Sequence, residues 1–338
     1  MSDTSSAPHT GRPFDQHVPP GRPGRRRLLR AAAILGAAGG ASAITAGASN
    51  AATRLPGRSD QPTFVLVHGA NGNAASFAPL GAALSQAGHR ALAVDLPGHG
   101  PDGNFPASYQ APQDLAAFAA APSPVLARTT LADNVRHVVG TVRGAARHGP
   151  VILVGHSMGG ATITRVGDEV PHLIARLVYL SAFCCVRLRS VADCFQTPQA
   201  STTLLPLIPS VPTPERLGVS RTNWRSADPG FLAAAKAVLA ADYDDASFLA
   251  ALNTFEPDES TTVVTDDARG TPAAWGRIPR SYVRYTRDRA IPLALQNRMI
   301  KEADEATPGN RFDVRSLAAP HLGPKDPQPL AAVLTDLL

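Results

Sequence analysis

Between residues 63 and 181, apolar positions follow two rhythms that take turns. Short unbroken runs (TFVLV at 63–67, the start of ALAVDLPGHG at 91–100, VILVG at 151–155, and 176–181) have the length and aliphatic character of buried strands. Between them, apolar residues recur at helical spacing. This predicts helices over 76–88, 129–147 and 158–170, the second capped by Thr129 or Thr130. Strand and helix in alternation imply crossover connections, and so an α/β architecture with a mostly parallel sheet covered by helices on both faces. Residues 101–127, rich in Pro, Ala and Asp, read as a surface excursion.

The rhythm breaks at 184–275. Prolines crowd 198–214, and PGFLAAAKAVLAADYDDASFLAALNTF (229–255) reads as one or two helices. Alternation resumes with a strand at 281–286, a helix at 292–303, a strand at 311–316 and a helix at 327–338. The expected organisation is a core domain at 63–183 and 276–338, interrupted by a largely helical cap at 184–275. Phe231, Leu232, Phe248, Leu252 and Phe255 either line a hydrophobic substrate pocket beneath that cap or pack the cap on the core. No internal repeat is visible.

Composition changes this picture at one end only. With 44% hydrophobic and 17% charged residues in 338, the chain is ordinary globular protein. Its net charge of +5 is local, because residues 1–51 carry six arginines and two acids. Taking these from 32 basic and 27 acidic residues leaves 26 against 25, which gives no electrostatic footprint for nucleic acid. GRRRLLR at 24–30, followed by the uncharged AAAILGAAGGASAITAGA at 31–48, has the layout of an export signal and resembles the twin-arginine type. Cleavage after Ala48 or Ala51 would release the mature chain, with 52–62 as a linker; retention as an anchor is the alternative. The expected location is secreted or in a bacterial cell envelope, with the twin-arginine export machinery as partner of the precursor. Cys184, Cys185 and Cys194 fit no common zinc spacing. Either Cys194 bridges to Cys184 or Cys185, or all three are small buried thiols.

The chemistry concentrates at Gly155-His156-Ser157-Met158-Gly159, a G-x-S-x-G turn between a strand and a helix. Such a sharp turn strains the serine backbone, and glycine two residues to either side relieves the crowding. The hydroxyl is thereby raised at the strand's C-terminal end, above a helix N-terminus that favours developing negative charge.

A serine nucleophile needs a general base. Of ten histidines, His9 and His17 lie in the leader, while His68 and His156 flank motif glycines as structural residues. His89, His99, His137 and His148 precede the serine, whereas this elbow is accompanied by the chain order Ser, acid, His. His172 leaves no room for an intervening strand and acid, so His321 remains. Asp288, two residues beyond the 281–286 strand, is the favoured acid, with Asp304 and Asp313 as alternatives. The N–H of Met158 and that of Ala70, in the loop after the first strand, are the expected oxyanion donors.

LVHGANGNAASF, ALAVDLPGHG, VILVGHSMGG, YVRYTRDRAIP and PHLGPKDPQPL together resemble the α/β-hydrolase fold. They are most similar to the branch that holds methyl-salicylate-type esterases and hydroxynitrile lyases. The resemblance covers 63–183 and 281–338 and does not extend to the cap. It implies a serine esterase in which the Asp of T-x-D-x-x-I-P falls on Asp288 and the base on His321, while Ser157, Ala70 and Met158 map directly. Lyases of that branch carry Thr at the position of Gly69 and Lys directly after the base. Here Leu322 stands in that second place, leaving no cation for a cyanide leaving group. The excursion at 101–127 and the 184–194 segment lie where the pocket mouth is expected. The expected activity is hydrolysis of a small-molecule carboxylic ester by an exported enzyme, without metal or organic cofactor. Lysis, perhydrolysis or acyl transfer by the same residues is the first alternative, and a non-catalytic ligand-binding member of the fold the second.

Overall fold

The computed structural model describes residues 61–338. The expected export signal at 1–51 and all but the last two residues of the expected linker lie outside the described residues. The first strand, β1 (Thr63–Val67), turns through Ala74–Phe77 into α1 (Ala78–Gln86), and β2 (Arg90–Val94) follows. Next come α2 (Leu115–Ala120), α3 (Leu131–Ala146), β3 (Val151–His156), α4 (Gly159–Glu169) and β4 (Ile174–Leu180). A long segment then carries α5 (Val191–Phe195), β5 (Val219–Arg221), α6 (Pro229–Leu239), α7 (Asp245–Leu252) and β6 (Asp258–Ser260). The chain closes with β7 (Arg280–Tyr285), α8 (Leu293–Ala306), β8 (Asp313–Leu317) and α9 (Gln328–Thr335).

Six strands form one sheet in the order β2-β1-β3-β4-β7-β8, with every neighbouring pair parallel. Period-two alternation sorts each central strand between two apolar layers. Val65, Val67 and Leu153 face a layer containing Val138 and Val142 of α3, Ile163 and Val166 of α4, and Leu295 and Met299 of α8. Phe64, Leu66, Ile152 and Val154 face Leu80 and Leu84 of α1 and Leu330 and Leu334 of α9. The fold is therefore an α/β sandwich of helix, parallel sheet and helix. After β2 the chain returns past β1 to lay down β3 on its other side. Strand order reverses there, so the C-terminal ends of β1 and β3 flank a crevice.

Thr130 is the cap of α3, its side chain accepting from the Asp133 N–H while Asp133 reaches back to the Thr130 N–H. The 229–255 stretch forms two helices, their N-termini capped by Asp228 and Asp244. The 101–127 segment lies mostly at the surface, as expected, but it contains α2 and is anchored by the buried side chains of Tyr109, Phe118 and Leu126. The partner of Phe118 is distant in sequence. The buried Arg221 guanidinium sits over the Phe118 ring and pairs with Asp258 at 2.7 Å. Arg221 and Asp258 lie on the antiparallel pair β5–β6, three residues per strand and too short to announce itself by alternation. Among the described residues, no helix is long and apolar enough to cross a membrane.

Candidate active site

At the end of β3 the backbone bends abruptly. Ser157 has φ +52°, a left-handed conformation that costs a side-chain-bearing residue energy, and Met158 is the N-cap of α4. The flanking glycines make the bend possible by close approach. A Cβ on Gly159 would lie 2.5 Å from the carbonyl oxygens of Val67 and His68, and one on Gly155 would lie 2.9 Å from the Gly159 carbonyl carbon.

Three loops at the C-terminal edge of the sheet bring the expected side chains together. His321, in the loop after β8, places Nε2 3.1 Å from Ser157 Oγ and Nδ1 2.7 Å from Asp288 Oδ2. All three residues are buried. A carboxylate can only accept, so Nδ1 carries the proton and Nε2 is left to accept from the serine hydroxyl. Asp288, in the turn after β7, is anchored through both oxygens. Oδ1 accepts from the N–H groups of Ala290 and Ile291 at 2.7 and 2.8 Å, and Oδ2 also accepts the Ser181 hydroxyl at 2.6 Å. Burial pushes this carboxyl up, but the imidazole and these donors outweigh it and hold the group below its ordinary value. The two alternative acids lie elsewhere. Asp304 accepts from the Phe312 N–H, and Asp313 pairs with Arg315.

His68 and His156 make specific contacts behind this row. His156 donates Nε2–H to the His321 carbonyl at 2.8 Å, and burial together with the neighbouring His321 ring lowers its pKa to about 3. His68 donates Nδ1–H to the Gly69 carbonyl at 2.8 Å and accepts the Leu96 N–H at Nε2, 3.1 Å away. Ala70 and Met158 both line the cavity in front of Ser157, and neither N–H donates to another protein group among the described residues. Sequence reasoning missed Ser181, which has no distinguishing neighbours and meets Asp288 because β4 and β7 are adjacent.

The cavity holds about 630 Å³, within the range of small-molecule sites. Its wall is apolar and aromatic, including Phe77, Phe183, Phe195, Trp224, Tyr243 and Phe255. Of the five apolar cap residues singled out in the sequence, only Phe255 lines it; Phe231, Phe248 and Leu252 pack in a buried cluster, with Leu232 against it, that reaches the cavity wall through Trp224, Leu239 and Ala290. The 184–194 segment reaches the wall through Val191, whereas no residue of 101–127 does. Leu322 lines the cavity, and the lone lysine there, Lys325, is largely exposed and paired with Asp244. Cys184, Cys185 and Cys194 are buried free thiols, with the sulfurs of Cys185 and Cys194 3.9 Å apart. Among the described residues, no group of three or more His, Cys, Asp or Glu is placed to hold a metal ion.

Comparison with known proteins agrees with this fold. A pyrethroid hydrolase of Sphingobium wenxiniae is 30% identical over 248 residues, 71% of this chain and 75% of that protein. A carbendazim-hydrolysing esterase of a Nocardioides species is 32% identical over 152 residues, 45% of this chain. That match spans about half of the relative's length, 49%. The crystal structure of a pyrethroid hydrolase superposes with a TM-score of 0.60 at 25% identity, covering 82% of this chain and 97% of the other. The alpha/beta hydrolase family model matches residues 64–333, and the chain belongs to that family.

Proposed function

We propose that this protein hydrolyses carboxylic esters through Ser157, His321 and Asp288. The carrying observation is the unbroken hydrogen-bonded row from Ser157 Oγ through the imidazole to Asp288 Oδ2, at 3.1 and 2.7 Å. As the Ser157 oxygen attacks the ester carbonyl carbon, its proton passes to His321 Nε2. Asp288 keeps Nδ1–H oriented and supports the imidazolium. The carbonyl oxygen becomes an oxyanion, received by the N–H groups of Ala70 and Met158 beside the N-terminus of α4. Collapse of the intermediate expels the alcohol, which takes the Nε2 proton and leaves an acyl-enzyme. A water molecule, deprotonated by the same nitrogen, then releases the acid.

The cavity wall supports a neutral, bulky, apolar ester as substrate. A charged acyl or alcohol group would be desolvated there with only Lys325 at hand, already paired. The same wall argues against cyanohydrin cleavage, since Leu322 offers nothing to a departing cyanide.

The test is turnover of p-nitrophenyl butyrate by the purified chain and its loss in Ser157→Ala. No hydrolysis across a chain-length panel of simple esters by folded protein would remove the esterase reading in favour of a binding protein. The proposal includes export of the precursor by the twin-arginine route on the strength of Arg25 and Arg26 in the leader. Replacing both with lysine should leave activity inside the cell, and continued secretion would remove that part.

A further inference from the structure

The Ala70 N–H belongs to the Gly69–Ala70 peptide unit, and that unit is held from both sides. On one side His68 fixes the Gly69 carbonyl. A trans peptide points its carbonyl and N–H in opposite directions, so this bond also fixes the direction of the Ala70 N–H. On the other side stands Asn71, whose φ of +56° is left-handed, a conformation that asparagine adopts more readily than most residues other than glycine. A carboxylate sustains it: the Asn71 N–H donates to Glu259 Oε2 at 2.9 Å. The Asn71 side chain donates to the Glu256 carbonyl at 2.9 Å, and the Asn71 carbonyl accepts the Glu256 N–H at 2.8 Å. Two residues on, the Asn73 amide donates to Glu256 Oε1 at 2.8 Å.

Glu256 and Glu259 are both buried, a state carboxylates tolerate only with partners. Their countercharge is His99, with Nδ1 3.2 Å from Glu256 Oε2 and Nε2 3.7 Å from Glu259 Oε2. Burial disfavours the His99 cation, but the two carboxylates overcome this and raise its pKa to about 10. One cation serves two anions, and N–H donors supply the rest. Gly100 reaches Glu256 Oε1 at 2.7 Å, and Ser260 reaches Glu259 Oε1 at 3.0 Å. The glutamates come from the segment between β4 and β7, so this segment grips the loop that carries Ala70.

We propose that Glu259, with Glu256 and His99 behind it, is a positioning residue for the oxyanion donor Ala70, acting through the Asn71 N–H. This rests on the reading of Ala70 as an oxyanion donor. Reach, rather than charge alone, is what the geometry requires of residue 259. Glu259→Asp keeps the charge opposite His99 but withdraws the oxygen from Asn71 by one methylene. Glu259→Gln keeps an accepting oxygen in place and gives up the charge.

On p-nitrophenyl butyrate, Glu259→Asp is expected to lose at least about tenfold in kcat with KM changed less than about twofold, because the donor is used chiefly once the oxyanion forms. Glu259→Gln should recover most of that loss. Thermal melts of both variants supply the control. A structural role alone would lower the melting temperature while leaving kcat of the folded enzyme unchanged, and that result overturns the proposal. So does the reverse order, with aspartate near wild type and glutamine impaired. If the wild-type chain hydrolyses no ester, the esterase reading fails by itself, and backbone amide exchange then decides the clamp. Faster exchange at Asn71 in Glu259→Asp than in Glu259→Gln supports it, and equal exchange overturns it.

Discussion

His156 donates its ring N–H to the backbone carbonyl of His321, so the residue before the candidate nucleophile holds the loop of the candidate base. With its pKa lowered to about 3, the His156 ring stays neutral at all ordinary pH and the bond is not a switch. His156→Ala frees the His321 backbone while leaving the three reacting side chains intact. One neutral hydrogen bond is worth about 0.5–1.5 kcal/mol, so kcat is expected to fall by a factor of roughly 2 to 13. Steady-state kinetics beside a thermal melt check this, and an unchanged kcat would mean that other contacts hold the loop.

Gly69 faces the Ser157 side chain so closely that a Cβ there would sit 2.6 Å from Ser157 Cβ and 3.2 Å from Oγ. Gly69→Ala must displace the serine, the loop, or both. The expected cost is about 1–3 kcal/mol of stability from overpacking, with at least a tenfold loss of ester turnover. The two effects separate by measuring unfolding in denaturant and turnover on the same preparation. Wild-type turnover in this variant would show that the loop slides without harm.

Much of this arrangement was readable in the sequence, and the unread parts share a cause. The strand–turn–helix around Ser157 is a local pattern, and so are the strands that end before Asp288 and His321. A candidate residue at the end of a recognisable strand inherits its place from the parallel sheet. Ser181 also directly follows a strand, but its meaning depends on which strand lies beside β4. Glu256 and Glu259 sit in and just before a three-residue strand, where no periodicity can develop. Phe118 is buried by Arg221, about a hundred residues further along, within a stretch whose Pro, Ala and Asp content looks solvated. In each case the missing information was a long-range contact.

Ser181→Ala removes one of the donors to the Asp288 carboxylate and leaves those from Ala290, Ile291 and His321. A hydrogen bond to a charged group contributes about 1.5–3 kcal/mol, and the loss should appear in stability and in a several-fold lower kcat. The folded-state pKa of Asp288 is depressed, so the stabilisation it provides is present above the unfolded value and is lost as pH falls. The gap in unfolding free energy between wild type and Ser181→Ala should therefore be widest near neutrality and narrow on acidification. A gap independent of pH would mean that the hydroxyl acts by packing alone.

His99 gives the opposite sign. Its folded pKa of about 10 lies above the ordinary histidine value of 6.5, so the stability it confers is complete below the unfolded pKa. That stability is lost as pH rises toward 10. Across this window the folded chain keeps a proton that the unfolded chain has released, a slope of at most about 1.4 kcal/mol per pH unit. The groups facing the ring are Glu256, Glu259 and the neutral His68, whose own pKa is lowered to about 4 by burial and by the His99 cation. His99→Gln should be less stable than wild type at pH 7, because two buried carboxylates lose their countercharge. Between pH 7 and 9.5 its unfolding free energy should decline less steeply, since the histidine proton is no longer there to be lost. Denaturant titrations of both proteins at four or five pH values provide the comparison, and parallel slopes would show that His99 carries no charge in the folded chain.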